Sequence, residues 1–186
     1  MSRFCITELP LSGLKLVQRQ RLGDARGFLS RLFCAQELAA AGWLQPVAQI
    51  NHTYTAHRGT VRGLHYQKPP AAETKLVSCL RGSIWDVVVD LRADSPTFLQ
   101  WHAEYLSLEN DRALLIPQGF AHGFQALSNE VDLLYCHSAP HIPLSEAGID
   151  ALDVRLAIAW PLPIAHRSAR DQTLASLGPD FEGLLC

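Results

Sequence analysis

Thr74-Lys75-Leu76-Val77-Ser78-Cys79-Leu80-Arg81-Gly82-Ser83-Ile84-Trp85-Asp86-Val87-Val88-Val89-Asp90-Leu91 reads as two apolar runs meeting at Arg81-Gly82. A two-residue joint ending in glycine between Val-, Ile- and Leu-rich runs is a tight hairpin signal, because glycine supplies the positive φ such turns need. The two strands span 74–80 and 83–91. Outward from them, runs of similar make-up recur at 14–18, 28–33, 47–55, 60–67, 100–106, 112–116, 121–127 and 131–137, separated by Gly, Pro, Asn and Asp. Short strands at this spacing argue for an all-β sandwich or barrel rather than a βαβ fold. Helix is scarce. Residues 35–41, closed by Gly42, are the clearest helical segment. Residues 152–156 read as a short turn or strand, and the tail from about 166 to 177 as helical. No repeat, linker or low-complexity tract interrupts the 186 residues, which are expected to form one domain.

Composition narrows the function classes. Apolar residues make up 48% and charged ones 18%, the balance of a chain that buries a core. A formal net charge of -2 leaves no electrostatic footprint for nucleic acid or an anionic membrane. No run approaches a membrane span, and the N-terminus lacks a basic-then-apolar signal pattern. Cys5, Cys34, Cys79, Cys136 and Cys186 are odd in number and widely spaced, so a reducing cytoplasm is the expected setting, with Cys79 and Cys136 as buried thiols.

The polar residues are concentrated on a few strands. Gly59-Thr60-Val61-Arg62-Gly63-Leu64-His65-Tyr66-Gln67 carries a guanidinium, an imidazole and an amide among apolar neighbours. On a regular strand Arg62 and His65 would face opposite ways; Gly63 between them permits a bulge that re-aims one. Gln49, Asn51 and Thr53 share a face, as do Lys75, Val77 and Cys79, and Leu133, Tyr135 and His137. His57, His102 and His166 read as surface residues. A metal site would need a ligand pair such as His-x-His, yet Gln67 stands where the second imidazole would fall. There is no Gly-x-Ser-x-Gly elbow, dinucleotide fingerprint or phosphate-binding P-loop. Proton abstraction beside a carbonyl fits better: His65 as base, Lys75 for the oxyanion, Tyr135 as acid, and Arg26 and Arg62 for phosphates.

These residues stand in segments that resemble the dTDP-4-dehydrorhamnose 3,5-epimerase family. The matching segments are Asp24-Ala25-Arg26-Gly27-Phe28, Gln49-Ile50-Asn51, Val61 to Gln67, Lys75-Leu76-Val77, Trp85 to Arg92, Ser95-Pro96-Thr97, Ile116 to Phe124 and Ile158-Ala159-Trp160-Pro161. The resemblance implies a cupin-type jelly roll, a homodimer, no metal or other cofactor, and a nucleoside-diphosphate 4-keto sugar as substrate. By the same resemblance His65 is the base, oriented by Asp171, Tyr135 the acid, and Lys75 the oxyanion partner. Arg26, Gln49, Asn51, Arg62, His122 and Arg170 would hold the diphosphate or sugar, with Arg26 crossing from the partner subunit, and Glu146 falls at a further ligand contact.

Three positions depart from the family pattern. Arg31 stands where the family has a thymine-contacting glutamate, and His141 where it has a stacking tyrosine. Gly148-Ile149-Asp150-Ala151 lacks the usual tryptophan. The expected activity is inversion of C3, C5 or both on a 4-keto-6-deoxyhexose. A 3-epimerase or ketoisomerase of the same superfamily is the alternative within catalysis, and an inactive sugar-nucleotide-binding jelly roll the alternative outside it.

Overall fold

The computed structural model describes residues 2–185. The chain opens with β1 (Phe4–Glu8), β2 (Lys15–Arg19), β3 (Arg21–Asp24), β4 (Gly27–Ser30) and α1 (Ala35–Ala39). The body follows as β5 (Gln49–Thr55), β6 (Val61–Gln67), β7 (Lys75–Arg81), β8 (Ser83–Asp90), β9 (Trp101–Ser107), β10 (Arg112–Ile116), β11 (Phe120–Ala126) and β12 (Val131–His137). It closes with β13 (Glu146–Gly148) and α2 (Ala169–Gln172). A six-stranded sheet in the order β1-β2-β10-β7-β12-β5 faces a five-stranded sheet in the order β13-β6-β11-β8-β9, all pairs antiparallel. This is the expected jelly roll. No helix among the described residues is long and apolar enough to cross a membrane.

The joint at Arg81-Gly82 corrects the hairpin expectation. β7 pairs with β10 and β12, while β8 pairs with β11 and β9, so the turn passes the chain from one sheet to the other. The reason is burial. As hairpin partners, Val77, Cys79, Ile84 and Val88 would share one face and compete for a single cover. Across a corner they meet face to face, in the same cluster as Leu114, Phe124 and Leu133. Gly82 still adopts the positive φ of +72°, and a Cβ there would stand 2.5 Å from Ser128 Oγ.

Two outer layers explain why several strands lack simple alternation. Leu76, Leu115 and Cys136 point away from the sheet interface and are covered by Leu38 of α1 and Trp43. On the other sheet Leu64, Val87 and Val89 pack outward beneath Ile149, Leu156 and Trp160. The Val87-Val88-Val89 run is therefore apolar throughout because both of its faces are covered. β1, β3 and β13 lie outside the expected runs; each is short, β1 and β3 largely exposed and β13 half-buried. The strand expected at 28–33 ends at Ser30 and pairs only with β3, in a two-stranded arm. Residues 152–156 form turns, and the expected helical tail shrinks to α2.

The bulge at Gly63 is present. Arg62 pairs with Phe124 and His65 with His122, so β6 takes three steps where β11 takes two. The extra residue is Gly63, at φ +114°, whose added Cβ would lie 2.6 Å from Gly123 Cα. Gly63→Ala should destabilise the fold by roughly 2–3 kcal/mol, combining positive-φ strain with a backbone clash. Gly178, whose Cβ would meet open space, is the control: its alanine variant should stay within about 0.5 kcal/mol of wild type. Urea midpoints of the two variants check this.

Candidate active site

A cavity of about 490 Å³ opens between the sheets, lined by β5, β7 and β12 on one wall and β6, β11 and β13 on the other. His65 enters it from β6. Its Nε2 lies 2.7 Å from Asp171 Oδ1, and a carboxylate there selects the Nε2–H tautomer, leaving the Nδ1 lone pair available. Asp171 is itself fixed in the first turn of α2, where its backbone N–H donates to the capping Ser168 hydroxyl at 3.0 Å. Its second oxygen accepts the Gly63 N–H at 3.3 Å. Burial lowers the His65 pKa below the ordinary 6.5, outweighing the Asp171 hydrogen bond and charge that raise it. At neutral pH the imidazole is a free base.

His122, beside His65 on β11, has its own carboxylate: Nε2 lies 2.7 Å from Oδ1 of the fully buried Asp86. Burial pushes the Asp86 carboxyl up, and His122 counters it. Tyr135 faces these residues from β12, its ring edge-on to His122 at 5.8 Å between centroids. Burial, reinforced by the Asp86 charge, drives the Tyr135 phenol far above its ordinary value, so it stays protonated. A neutral imidazole on one sheet and a neutral phenol on the other thus line one cavity. Such a pair can take a proton on one side and return one on the other.

The cations are placed around them. Lys75 Nζ lies 3.1 Å from Glu73. Arg62 reaches from β6 toward β5, donating to Thr55 Oγ1 at 3.0 Å and to the Tyr54 carbonyl at 3.2 Å. At the mouth, Glu146 bridges Arg170 at 2.7 Å and His141 at 3.1 Å. Gln49 accepts the His141 backbone N–H at 3.0 Å and donates to Asn51 Oδ1 at 3.0 Å. These groups suit an anionic ligand with several oxygens.

A sequence profile described as dTDP-4-dehydrorhamnose 3,5-epimerase matches residues 8–178. The chain is 40% identical to the Shigella flexneri dTDP-4-dehydrorhamnose 3,5-epimerase over 89% of its own length and 90% of that protein. The chain belongs to the dTDP-4-dehydrorhamnose 3,5-epimerase family. It is therefore an isomerase. It is also 38% identical to a Streptomyces niveus dTDP-4-dehydrorhamnose 3-epimerase, over 88% of this chain and 79% of that one. Among solved structures, a Legionella pneumophila dTDP-6-deoxy-D-glucose-3,5-epimerase in complex with dTDP-4-keto-L-rhamnose superposes with a TM-score of 0.88 at 39% identity. That match covers 93% of this chain and 92% of the other. The likeness extends the fold reading to a cupin-type jelly roll.

Within this family member, His65, Lys75, Tyr135, Asp171, Gln49, Asn51, Arg62, His122, His141, Glu146 and Arg170 all line the one cavity. Arg26 and Arg31 do not. Arg26 sits at the tip of the β3–β4 arm, paired with Asp24 at 2.6 Å, and Arg31 is ion-paired with Glu37 of α1. Sequence reading also passed over Glu73, Asp86 and His137. Asp86 had a signal, a lone carboxylate inside an apolar strand; Glu73 stands two residues before Lys75, and His137 two after Tyr135. His57 and His166 are exposed as expected, but His102 is half-buried against Glu104 at 3.0 Å. Among the described residues, no three His, Cys, Asp or Glu side chains converge as a metal-ligand set.

The His65 environment gives a signed expectation. Below pH 6.5 the unfolded chain binds a proton that folded His65 resists, so this residue costs stability as pH falls through that window. Asp171→Asn removes the charge that raises the His65 pKa and leaves burial unopposed, so the pKa should drop further. An NMR titration of the His65 ring protons should show wild type titrating below 6.5 and the variant lower still.

Proposed function

We propose that this epimerase acts on a nucleoside-diphosphate 4-keto-6-deoxyhexose, with dTDP-4-dehydro-6-deoxy-D-glucose as the first candidate. The observation that carries the proposal is the neutral His65 and the protonated Tyr135 on opposite walls of one cavity. The C4 ketone acidifies the C–H bonds at C3 and C5. His65 Nδ1 takes such a proton, and the C–H electron pair moves toward the C4 oxygen to form an enolate. Lys75 stabilises that oxygen. The pair then returns to carbon as the Tyr135 hydroxyl delivers a proton to the opposite face, which inverts the centre. Proton exchange with solvent resets the imidazolium and phenolate. Asp171 keeps the correct tautomer throughout, and Arg62, His122, Arg170 and the Gln49–Asn51 amides grip the diphosphate and sugar.

The kinship with both 3,5- and 3-epimerases leaves two product patterns, inversion at C3 and C5 or at C3 alone. Proton NMR in deuterated water with the candidate keto sugar separates them by which positions exchange and invert. His65→Asn should cut exchange at both carbons by at least about 10³-fold while nucleotide affinity stays within a few-fold. Tyr135→Phe keeps the ring but loses the hydroxyl. It should still wash deuterium in through His65, with configuration retained. Exchange at the wild-type rate in His65→Asn would remove that residue from the chemistry.

Arg26 joins the site if the protein is a homodimer and the β3–β4 arm crosses to the partner. The arm supports this: it is a separate two-stranded sheet with Leu22, Phe28 and Leu29 exposed. Mixing Arg26→Ala with His65→Asn tests it. Heterodimers would carry one site with both an intact His65 and a partner Arg26, so scrambled subunits should regain up to about a quarter of wild-type activity. No recovery on mixing would keep Arg26 within its own chain. A cytoplasmic setting is part of the same proposal, supported by the free thiols of Cys5, Cys34, Cys79 and Cys136.

A further inference from the structure

Glu73 lies just ahead of β7, in the same cavity wall as Lys75 and His137, and its carboxylate serves three chain segments at once. One oxygen is 3.1 Å from Lys75 Nζ. The other is 3.2 Å from His137 Nδ1 and accepts the Gln67 Nε2–H at 3.1 Å. The Glu73 side chain is 8% exposed. Burial works to raise its pKa, yet the His137 hydrogen bond and the Lys75 charge outweigh it, so the group is held below its usual range and ionised. His137 is more than a second anchor. Its ring lies nearly parallel to the Tyr135 ring, 17° between planes and 6.0 Å between centroids. One buried carboxylate therefore bonds to the cation meant for the oxyanion and to the ring flanking the acid.

We propose that Glu73 is a positioning residue for the epimerase reaction, fixing the Lys75 ammonium where the oxyanion forms and, through His137, the ring plane beside Tyr135. The inference rests on the roles proposed above for Lys75 and Tyr135. Its physical basis is preorganisation. A lysine stem has considerable rotamer entropy to lose, and a donor fixed before the reaction needs no rearrangement as charge develops. Glutamine at this position has the same shape but a single acceptor oxygen. It can accept from Lys75 or from His137, not both, and its amide N–H aimed at His137 Nδ1 would force the other imidazole tautomer.

The test compares steady-state rates and a spectroscopic signature. Glu73→Gln should lower kcat about tenfold with KM changed less than about twofold, since the loss falls on the transition state. In a Lys75→Met background the same substitution should cost no more than about threefold, the share that runs through His137, because the rest of its effect runs through Lys75. Nitrogen-15 NMR of the imidazoles should show His137 protonated at Nδ1 in wild type and at Nε2 in Glu73→Gln. His137→Asn, which leaves Lys75 untouched, should cost about threefold in kcat. A Glu73→Gln enzyme within twofold of wild-type kcat, or an equal loss in the Lys75→Met background, overturns the proposal. Should Glu73→Gln not fold, His137→Asn decides: a kcat indistinguishable from wild type overturns the shared anchor. A wild-type protein that neither exchanges nor inverts the keto sugar would instead refute the substrate reading, while the His137 tautomer switch would still confirm or refute the anchor itself.

Discussion

Two backbones cross at Gly63 and Gly123 more closely than any side chain allows, and the cavity is organised by that crossing. A Cβ on Gly63 would lie 2.6 Å from Gly123 Cα, and one on Gly123 the same distance from the Arg62 carbonyl. The extra residue in β6 breaks the alternation of the strand. Leu64 and Tyr66 stay in the outer core while Arg62 and His65 both turn inward. The Gly63 N–H displaced from the ladder donates to Asp171, the carboxylate that also orients His65. Bulge, carboxylate and imidazole are therefore joined through Asp171.

The same burial acts on His65 and Tyr135 in the directions proposed for a base and an acid. Desolvation disfavours charge of either sign, so it lowers the pKa of an imidazole and raises that of a phenol. Burial thus pushes His65 and Tyr135 both further toward their neutral forms. The outer hydrophobic layers over both sheets make such polar walls tolerable. Trp43 and α1 on one side, and Trp160 with its neighbours on the other, supply burial that the cavity removes from the middle.

Much of the sandwich was legible because its strands carry their own signal. Runs such as 131–137 and 112–116 coincide with β12 and β10. Faces were legible too: Leu133, Tyr135 and His137 do share one, as do Gln49, Asn51 and Thr53. Pairing was not. Arg81-Gly82 has the local chemistry of a hairpin, yet whether adjacent strands pair or part depends on which faces need a common cover, and that is a property of the whole core. β13 was beyond reach because it is held by a strand distant in sequence, β6, whereas α2 lies within the helical tail expected at 166–177 and only its length was misjudged. The site residues that escaped notice, Glu73, Asp86 and His137, act behind or beside others. Only the fold shows a carboxylate serving three side chains.

Two of the cavity's cations, and both of its carboxylate-bonded imidazoles, already have partners before any ligand arrives. Lys75 faces Glu73, Arg170 faces Glu146, and the two imidazoles face Asp171 and Asp86. Such a site projects little field into solvent, and with a formal charge of -2 the whole chain adds no pull on an anion. Capture of a diphosphate is then a matter of partner exchange at close range. Arg62 is held by a hydroxyl and a carbonyl and has no carboxylate to give up, whereas Arg170 is already bonded to Glu146. An anion that settles there must offer oxygens able to replace a carboxylate already bonded to a cation, which favours ligands with several charged oxygens.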